Sequence, residues 1–477
     1  MKADYDLIIA GTGFASSFFL LQYLKSAKRD ARVLVLERGE DHSHAWQLKH
    51  QKNSATPSRS TYTSAGKPVS FQYNIGFGGG SNCWWANTHR MLPNDFRMKT
   101  QYGVAEDWPI SYTDLAPYYD QAMEIMSLSG PDDMAIYPDK VQFPQGPHDF
   151  SDPDRLVKNH YPDLYFHAPS ARASQATKHR SSCCNSGSCN LCPVNAKFSV
   201  LNELSHIYKD PRVTLKLNAR IERVGSNADL IDRVEYADGT GRHSVRGELV
   251  ALGCNAIMNA FILLRSGMTH PVLGRYLSKQ PYITATIDLA GLDSFQASSS
   301  ISAIGYMLYD GAHRTHQSAC MIQNNNVISP SSIRHEEGKW RQRIVLTCDV
   351  EDLPNVNNQV RVGTNDPTLP EIVYGDVSDY VTRRVRGLED TLRDVFACLP
   401  IERIQMADRV LSYPNSILGS TRMGLDAKDS LIDRHLVHHR YRNLVLLGGG
   451  AFPSVSPSHP TWTVSALSLW SAAHLFN

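Results

Sequence analysis

Asp6-Leu7-Ile8-Ile9-Ala10-Gly11-Thr12-Gly13-Phe14-Ala15-Ser16 is the stretch that decides the fold. An apolar run ends at Ala10, a glycine turn follows, and an apolar helical stretch continues over Phe14–Tyr23. Val33-Leu34-Val35-Leu36 supplies a second strand, so residues 5–39 read as a βαβ unit. In such a unit Gly11 and Gly13 let the backbone approach a pyrophosphate, and the helix N-terminus offers N–H donors and a favourable dipole. Ser16 stands where the third glycine of the fingerprint is usual, which loosens the pattern without removing the helix start. Glu37, 26 positions after Gly11, falls at the end of the second strand, where a carboxylate can accept ribose hydroxyls. Strand, turn, helix, strand and acid in this order mark a dinucleotide site. Spacing alone does not separate FAD from NAD.

Working outward, residues 40–110 are polar and rich in Ser, Thr and Gly, interrupted by Gly76-Phe77-Gly78-Gly79-Gly80, and a helix is predicted from Thr113 to about Met126. The Pro- and Asp-rich stretch 130–180 reads as peripheral loop. Short β-type runs at Val213–Leu217 and Arg233–Tyr236, then Leu249-Val250-Ala251-Leu252-Gly253, signal a return to the first domain. Alternation in Tyr282–Leu289 and Arg343–Val350 predicts an antiparallel sheet with one covered face, followed by a helix near 377–398. From Leu444 the pattern is again strand, glycine turn and helix, the helix beginning near Thr461.

At 477 residues the chain exceeds what one hydrophobic core usually organises, so two packed domains are expected. Lys plus Arg (48) nearly cancels Asp plus Glu (47), a balance that implies no strongly charged partner such as nucleic acid. The N-terminus carries acid where an export signal needs positive charge, and no window reaches the roughly 18 apolar residues of a membrane span. Nine cysteines in so long a chain do not resemble a secreted disulfide scaffold, yet Cys183, Cys184, Cys189 and Cys192 crowd one turn-rich loop. Thiolates so placed bind iron–sulfur clusters or zinc, or remain structural thiols or a disulfide; adjacent cysteines rarely serve one tetrahedral zinc.

Gly11-Thr12-Gly13, Val35-Leu36-Glu37-Arg38-Gly39, the glycine run 76–80, Asp107-Trp108-Pro109-Ile110-Ser111, Asp114-Leu115-Ala116-Pro117-Tyr118-Tyr119 and Gly450-Ala451-Phe452-Pro453 with His459-Pro460-Thr461 occur in one order along the chain. Together they resemble the glucose–methanol–choline (GMC) oxidoreductases over most of the chain. The resemblance implies an α/β fold with a Rossmann-like FAD-binding domain and an antiparallel-sheet α+β substrate domain. The implied division is 1–269 for FAD, 270–410 for substrate, and 411–477 as a return to the FAD domain carrying the active-site histidine. It also implies that FAD is held by Gly11, Gly13, Glu37, Gly78, Gly79, Gly80, Val224, Ala451 and Phe452, beside Ser16 of the fingerprint turn. In some relatives a histidine after the second glycine run bonds the flavin covalently. Cys83 stands at the matching position, so a non-covalent flavin is expected.

Oxidising an alcohol by hydride transfer needs a base within hydrogen-bond reach of the hydroxyl, and histidine suits the task near neutral pH. His459 falls where the resemblance places a second active-site residue. Ser416, in Asn415-Ser416-Ile417-Leu418-Gly419-Ser420, stands where the main catalytic histidine is expected. A hydroxyl cannot replace imidazole as a base. His459 is therefore taken to act alone, with Ser416 or Asn415 orienting the substrate; His435, His438 and His439 read more simply as a solvated strand end. The cysteine loop resembles that of flavin sugar dehydrogenases of the same family, which implies a [3Fe–4S] cluster on Cys183, Cys184 and Cys189, with Cys192 an extra thiol.

The function so implied is dehydrogenation of a sugar or other alcohol, electrons leaving through the cluster. Related enzymes work with a small subunit and a cytochrome, so a cytoplasmic location is expected from the lack of an export signal, or a periplasmic one if a partner carries it. Two rival readings are an alcohol oxidase or biosynthetic tailoring oxidoreductase without a cluster, and a flavin-binding protein that no longer catalyses.

Overall fold

The computed structural model describes residues 3–327 and 338–476. Its first layer is a five-stranded parallel sheet in the order Leu444–Leu446, Gly247–Leu252, Tyr5–Ala10, Val33–Leu36, Val213–Lys216. In the central strand Leu7, Ile8 and Ile9 are fully buried, and Ile8 pairs with Leu34 on one side and Val250 on the other. Both faces of this sheet are covered, which is why its strands read as unbroken apolar runs rather than alternating ones. The helix Phe14–Ser26 packs against the last helix, Pro460–Phe476, with the rings of Tyr23 and Phe476 4.6 Å apart. The last helix buries Trp462 through Ala473 almost without a polar stripe, as a helix does when neighbours surround it. An antiparallel meander, Arg220–Asn227, Leu230–Asp238 and Gly241–Val245, lies between the third and fourth strands in sequence.

The second layer is an antiparallel sheet in the order Ile401–Met406, Pro281–Leu289, Arg343–Val350, Cys320–Asn325, Ile301–Leu308, Tyr165–His167. Its period-two pattern separates two faces. Ile283, Ala285, Ile322, Leu346 and Cys348 pack with Val381, Leu388 and Leu392 of the helices Asp379–Val385 and Leu388–Val395. The alternate residues, among them Gln323, Asn325, Thr347 and Asp349, fall on the opposite face; Gln323 pairs with Thr347, and Met321 with Asp349. One sheet thus turns an oily face to its helices and a polar row away from them.

The division at 270 and the peripheral reading of 130–180 both need revision in one place. Asp152–His160 is a helix, Tyr165–His167 is the edge strand of the antiparallel sheet, and Phe150, Val157 and Tyr165 belong to that sheet's core. The helix near 377–398 is two helices, broken at Arg386-Gly387, where Gly387 takes a left-handed φ of 76°. The two layers are tied by Arg314, whose fully buried guanidinium bridges Asp95 at 2.8 Å and Glu351 at 2.6 Å.

Candidate active site

A cleft runs along the parallel sheet from the turn Gly11–Ala15, past Glu37 and Arg38, over Gly79, Gly80 and Cys83, to Asn415, Gly448, Gly449, Pro460 and Thr461. Its walls fit FAD on backbone grounds. Gly13 caps the first helix without any side-chain hydrogen bond, leaving the first helical N–H groups for a ligand. The two glycine loops touch: a Cβ on Gly79, which has φ +48°, would lie 2.9 Å from the Cα of Gly13. Glu37 is buried at the strand end; its Oε2 accepts from the Thr12 N–H (3.1 Å) and hydroxyl (2.8 Å), and its Oε1 from the Gly39 N–H (2.9 Å). Burial raises its pKa above the ordinary carboxylate value in spite of these donors.

Of the other residues assigned to FAD, several support the cleft rather than line it. Ser16 donates to the Ala10 carbonyl at 3.0 Å, fixing the turn, and the Gly78 N–H donates to the Thr12 hydroxyl at 3.0 Å. Val224 is buried in the meander, while Ala219, Arg220 and Ile221 line the cleft instead. Ala451 and Phe452 sit just behind Gly448 and Gly449, with the Phe452 ring edge-on to Trp108 at 4.9 Å. Cys83 does line the cleft, and burial raises its thiol pKa.

At the end of the cleft marked by Pro460, His459 leaves the FAD domain and meets the polar row of the second sheet. Its Nε2 lies 2.7 Å from the Gln323 side-chain nitrogen and 3.5 Å from Asp349 Oδ2. The Gln323 amide also donates to Asp349, so the Gln323 atom facing His459 is its N–H end and Nε2 accepts from it. Asp349 is fully buried, and the Tyr413 hydroxyl donates to its other oxygen at 2.7 Å. Tyr413 stands edge-on to His459, ring centroids 5.2 Å apart, and His89, from the first part of the FAD domain, faces His459 at 5.3 Å. Asn325 and Thr347, joined at 2.7 Å, continue the polar row. A proton arriving at Nε2 of His459 therefore finds a buried carboxylate beside it.

Ser416 is buried, and its N–H donates at 3.4 Å to the Tyr413 carbonyl. Tyr413, three residues earlier, is the member of that segment that stands against His459, and Asn415 lines the FAD cleft. His438 serves its own turn, with Nδ1 accepting the N–H groups of Arg440 and Tyr441 at 3.0 and 3.1 Å. Asp349, Gln323, Tyr413 and His89 carry no motif, and the polar positions of the alternating strand Arg343–Val350 were the only hint of them.

The described residues do not gather the cysteine loop into the expected [3Fe–4S] site. Cys184 is exposed while its neighbour Cys183 is half-buried; Cys189 is buried against the Ser300 hydroxyl at 3.1 Å, and Cys192 accepts the Ala196 N–H at 3.2 Å. Among the described residues no three His, Cys, Asp or Glu side chains gather in a metal-holding arrangement. No helix among the described residues is long and apolar enough to cross a membrane.

Residues 376–468 match the family model described as GMC oxidoreductase. The chain is 27% identical over 442 residues to the fructose dehydrogenase large subunit of Gluconobacter japonicus, covering 84% of this chain and 80% of that one. It is 25% identical to paromamine 6'-oxidase of Streptomyces fradiae, covering 83% of this chain and 77% of the relative. Among solved structures, pyridoxine 4-oxidase from Mesorbium loti superposes with a TM-score of 0.67 at 17% identity, covering 99% of each chain. A glycine-lined dinucleotide cleft opening on an antiparallel sheet with a histidine between them defines an FAD-dependent oxidoreductase. The fold, a Rossmann-like FAD-binding domain with an antiparallel-sheet substrate domain, is that of the GMC oxidoreductases.

Proposed function

We propose that this chain oxidises the CH–OH group of a sugar or other polyhydroxylated alcohol, with His459 as the base and without an iron–sulfur relay. The observation that carries this reading is the placement of His459 Nε2, 2.7 Å from Gln323 and 3.5 Å from the buried Asp349. FAD bound in the cleft supplies a hydride acceptor. A substrate hydroxyl displaces the Gln323 amide from the Nε2 lone pair and gives up its proton there. Asp349, kept in place by Tyr413 and Gln323, then lies beside the ring that has taken the proton. Positioned bases of this kind contribute about 10²–10⁴ in rate.

The polar row supports a hydroxylated substrate. Asn325, Thr347 and Gln323 offer amides and a hydroxyl along one sheet face, groups that pair with several substrate hydroxyls at once. The likeness to a fructose dehydrogenase subunit points the same way. Electrons leave to oxygen or a diffusible acceptor, since the cysteine loop does not present a common centre. The experiment is anaerobic addition of sugars and polyols to the FAD-loaded protein, with the flavin absorbance followed and the carbonyl product identified. Persistence of oxidised flavin with every alcohol would favour the flavin-binding protein without catalysis instead.

A further inference from the structure

His89 has no role in the account so far, and its surroundings are unusual. It is fully buried, and neither ring nitrogen has a hydrogen-bond partner among the described residues. Buried polar groups in finished cores are paired, so an imidazole with both nitrogens free marks a place where something else binds. The ring is held at the site from two directions. Two residues before it, the Asn87 amide donates to Gln323 Oε1 at 3.3 Å, and Gln323 is the side chain that meets His459. One residue after it, the Arg90 carbonyl accepts the Ser458 hydroxyl at 2.9 Å, which ties the segment to the turn before His459. The two imidazoles end with centroids 5.3 Å apart and planes tilted by 36°. Burial first, with Arg172 and His459 close by, holds the His89 pKa well below the ordinary imidazole value. A neutral imidazole has one donor and one acceptor nitrogen.

We infer that His89 is a second catalytic imidazole, donating one ring N–H to the carbinol oxygen of the substrate while His459 takes the hydroxyl proton. The inference rests on the function proposed above. The O–H bond breaks toward His459 Nε2, the C–H bond breaks as hydride to bound FAD, and the proton on His89 stays on its ring. Its part is to hold the oxygen and stabilise the negative charge that develops on it, as preorganised donors do at an oxyanion. This also accounts for Ser416: the second imidazole comes from the segment after the glycine run instead of from position 416.

The test compares anaerobic flavin reduction by an alcohol that reduces the native enzyme in three FAD-loaded proteins: native, His89→Leu and His89→Gln. Losing one such donor lowers the reduction rate by about 10²–10³-fold. The Leu variant is expected to fall by that factor with its FAD content intact, and Gln, which restores an N–H donor, to recover at least about tenfold of it. A second readout does not depend on turnover. Imidazole nitrogen resonances of histidine-labelled native protein, assigned with the Gln variant, are expected to shift at His89 when a non-reducing ether analogue of the substrate binds. A Leu variant within threefold of native, or an unmoved His89 resonance with analogue bound, would overturn the inference while leaving the His459 reading in place. Should the Leu variant fail to load FAD, the resonance decides alone. Failure of every alcohol to reduce the native protein would overturn both.

Discussion

Asp349 Oδ2 lies 3.5 Å from Nε2 of His459, a fully buried carboxylate on the antiparallel sheet facing an imidazole that enters from the FAD domain. Neither residue has this partner until the two layers close on each other. The pair makes the strand Arg343–Val350 part of the chemistry, not only of the substrate domain's frame.

The first prediction concerns that pair. Asp349→Asn keeps the shape and removes the charge that faces a protonated His459. Flavin reduction is expected to slow by about 10–10²-fold, within the range a base contributes, with FAD content unchanged. Stopped-flow reduction by one alcohol reports it; an unchanged rate would remove Asp349 from the mechanism.

A second prediction addresses cofactor binding. Gly79 has φ +48°, and a Cβ there would press on the Gly13 Cα at 2.9 Å, backbone against backbone. Gly79→Ala must part the two glycine loops and is expected to weaken FAD binding by at least about tenfold, the equivalent of about 1.4 kcal/mol. Flavin retained after dialysis measures this. Native retention would mean that the loops do not grip the cofactor together.

Stability against pH follows from buried imidazoles. Burial lowers the pKa of His148 and of His438 to about 4, against about 6.5 for an unfolded imidazole. Above that value both states are neutral and the contribution is complete. As pH falls below it, the unfolded chain takes up protons that the folded chain refuses, so stability is lost at up to about 1.4 kcal/mol per pH unit for each imidazole. The urea midpoint is expected to drop between pH 7 and pH 5. His438→Asn, which cannot titrate, should show a shallower drop than native; an identical slope would show that His438 is protonated in the folded state.

The cysteine loop gives a fourth prediction. Protein purified without air is expected to hold FAD with iron and acid-labile sulfide far below three per chain. The triple variant Cys183→Ser, Cys184→Ser, Cys189→Ser is expected to keep its rate of flavin reduction. Stoichiometric iron with sulfide would mean that the loop rearranges around a cluster and would restore the electron-exporting dehydrogenase.

Much of the FAD half is legible in the sequence because its signals are local. Residues 6–13, the strand Val33–Leu36 and Glu37 mark the dinucleotide turn within one βαβ unit, and the structure puts Gly11, Gly13 and Glu37 on the cleft. The alternation of 282–289 and 343–350 gives the antiparallel sheet for the same reason. Residues 150–167 were hidden by their Pro and Asp content, although Ser151-Asp152-Pro153-Asp154 is a capping box, with the Ser151 N–H donating to Asp154 at 3.0 Å. The partners of His459 were illegible because Gln323, Asp349 and Tyr413 come from three separate segments. Alternation says that Asp349 lies opposite the oily face, but not what meets it there. The cysteines show the converse, four thiols close in sequence that form no metal-holding group among the described residues.

The central claim is that His459 is the base of an alcohol-oxidising flavoenzyme, and anaerobic stopped-flow reduction of native and His459→Ala protein by a panel of sugars and polyols tests it most directly. At least one alcohol should bleach the native flavin, and the variant, with FAD still bound, should be slower by about 10²-fold or more. A panel that leaves the native flavin oxidised, or a variant slowed by less than about tenfold, would contradict it.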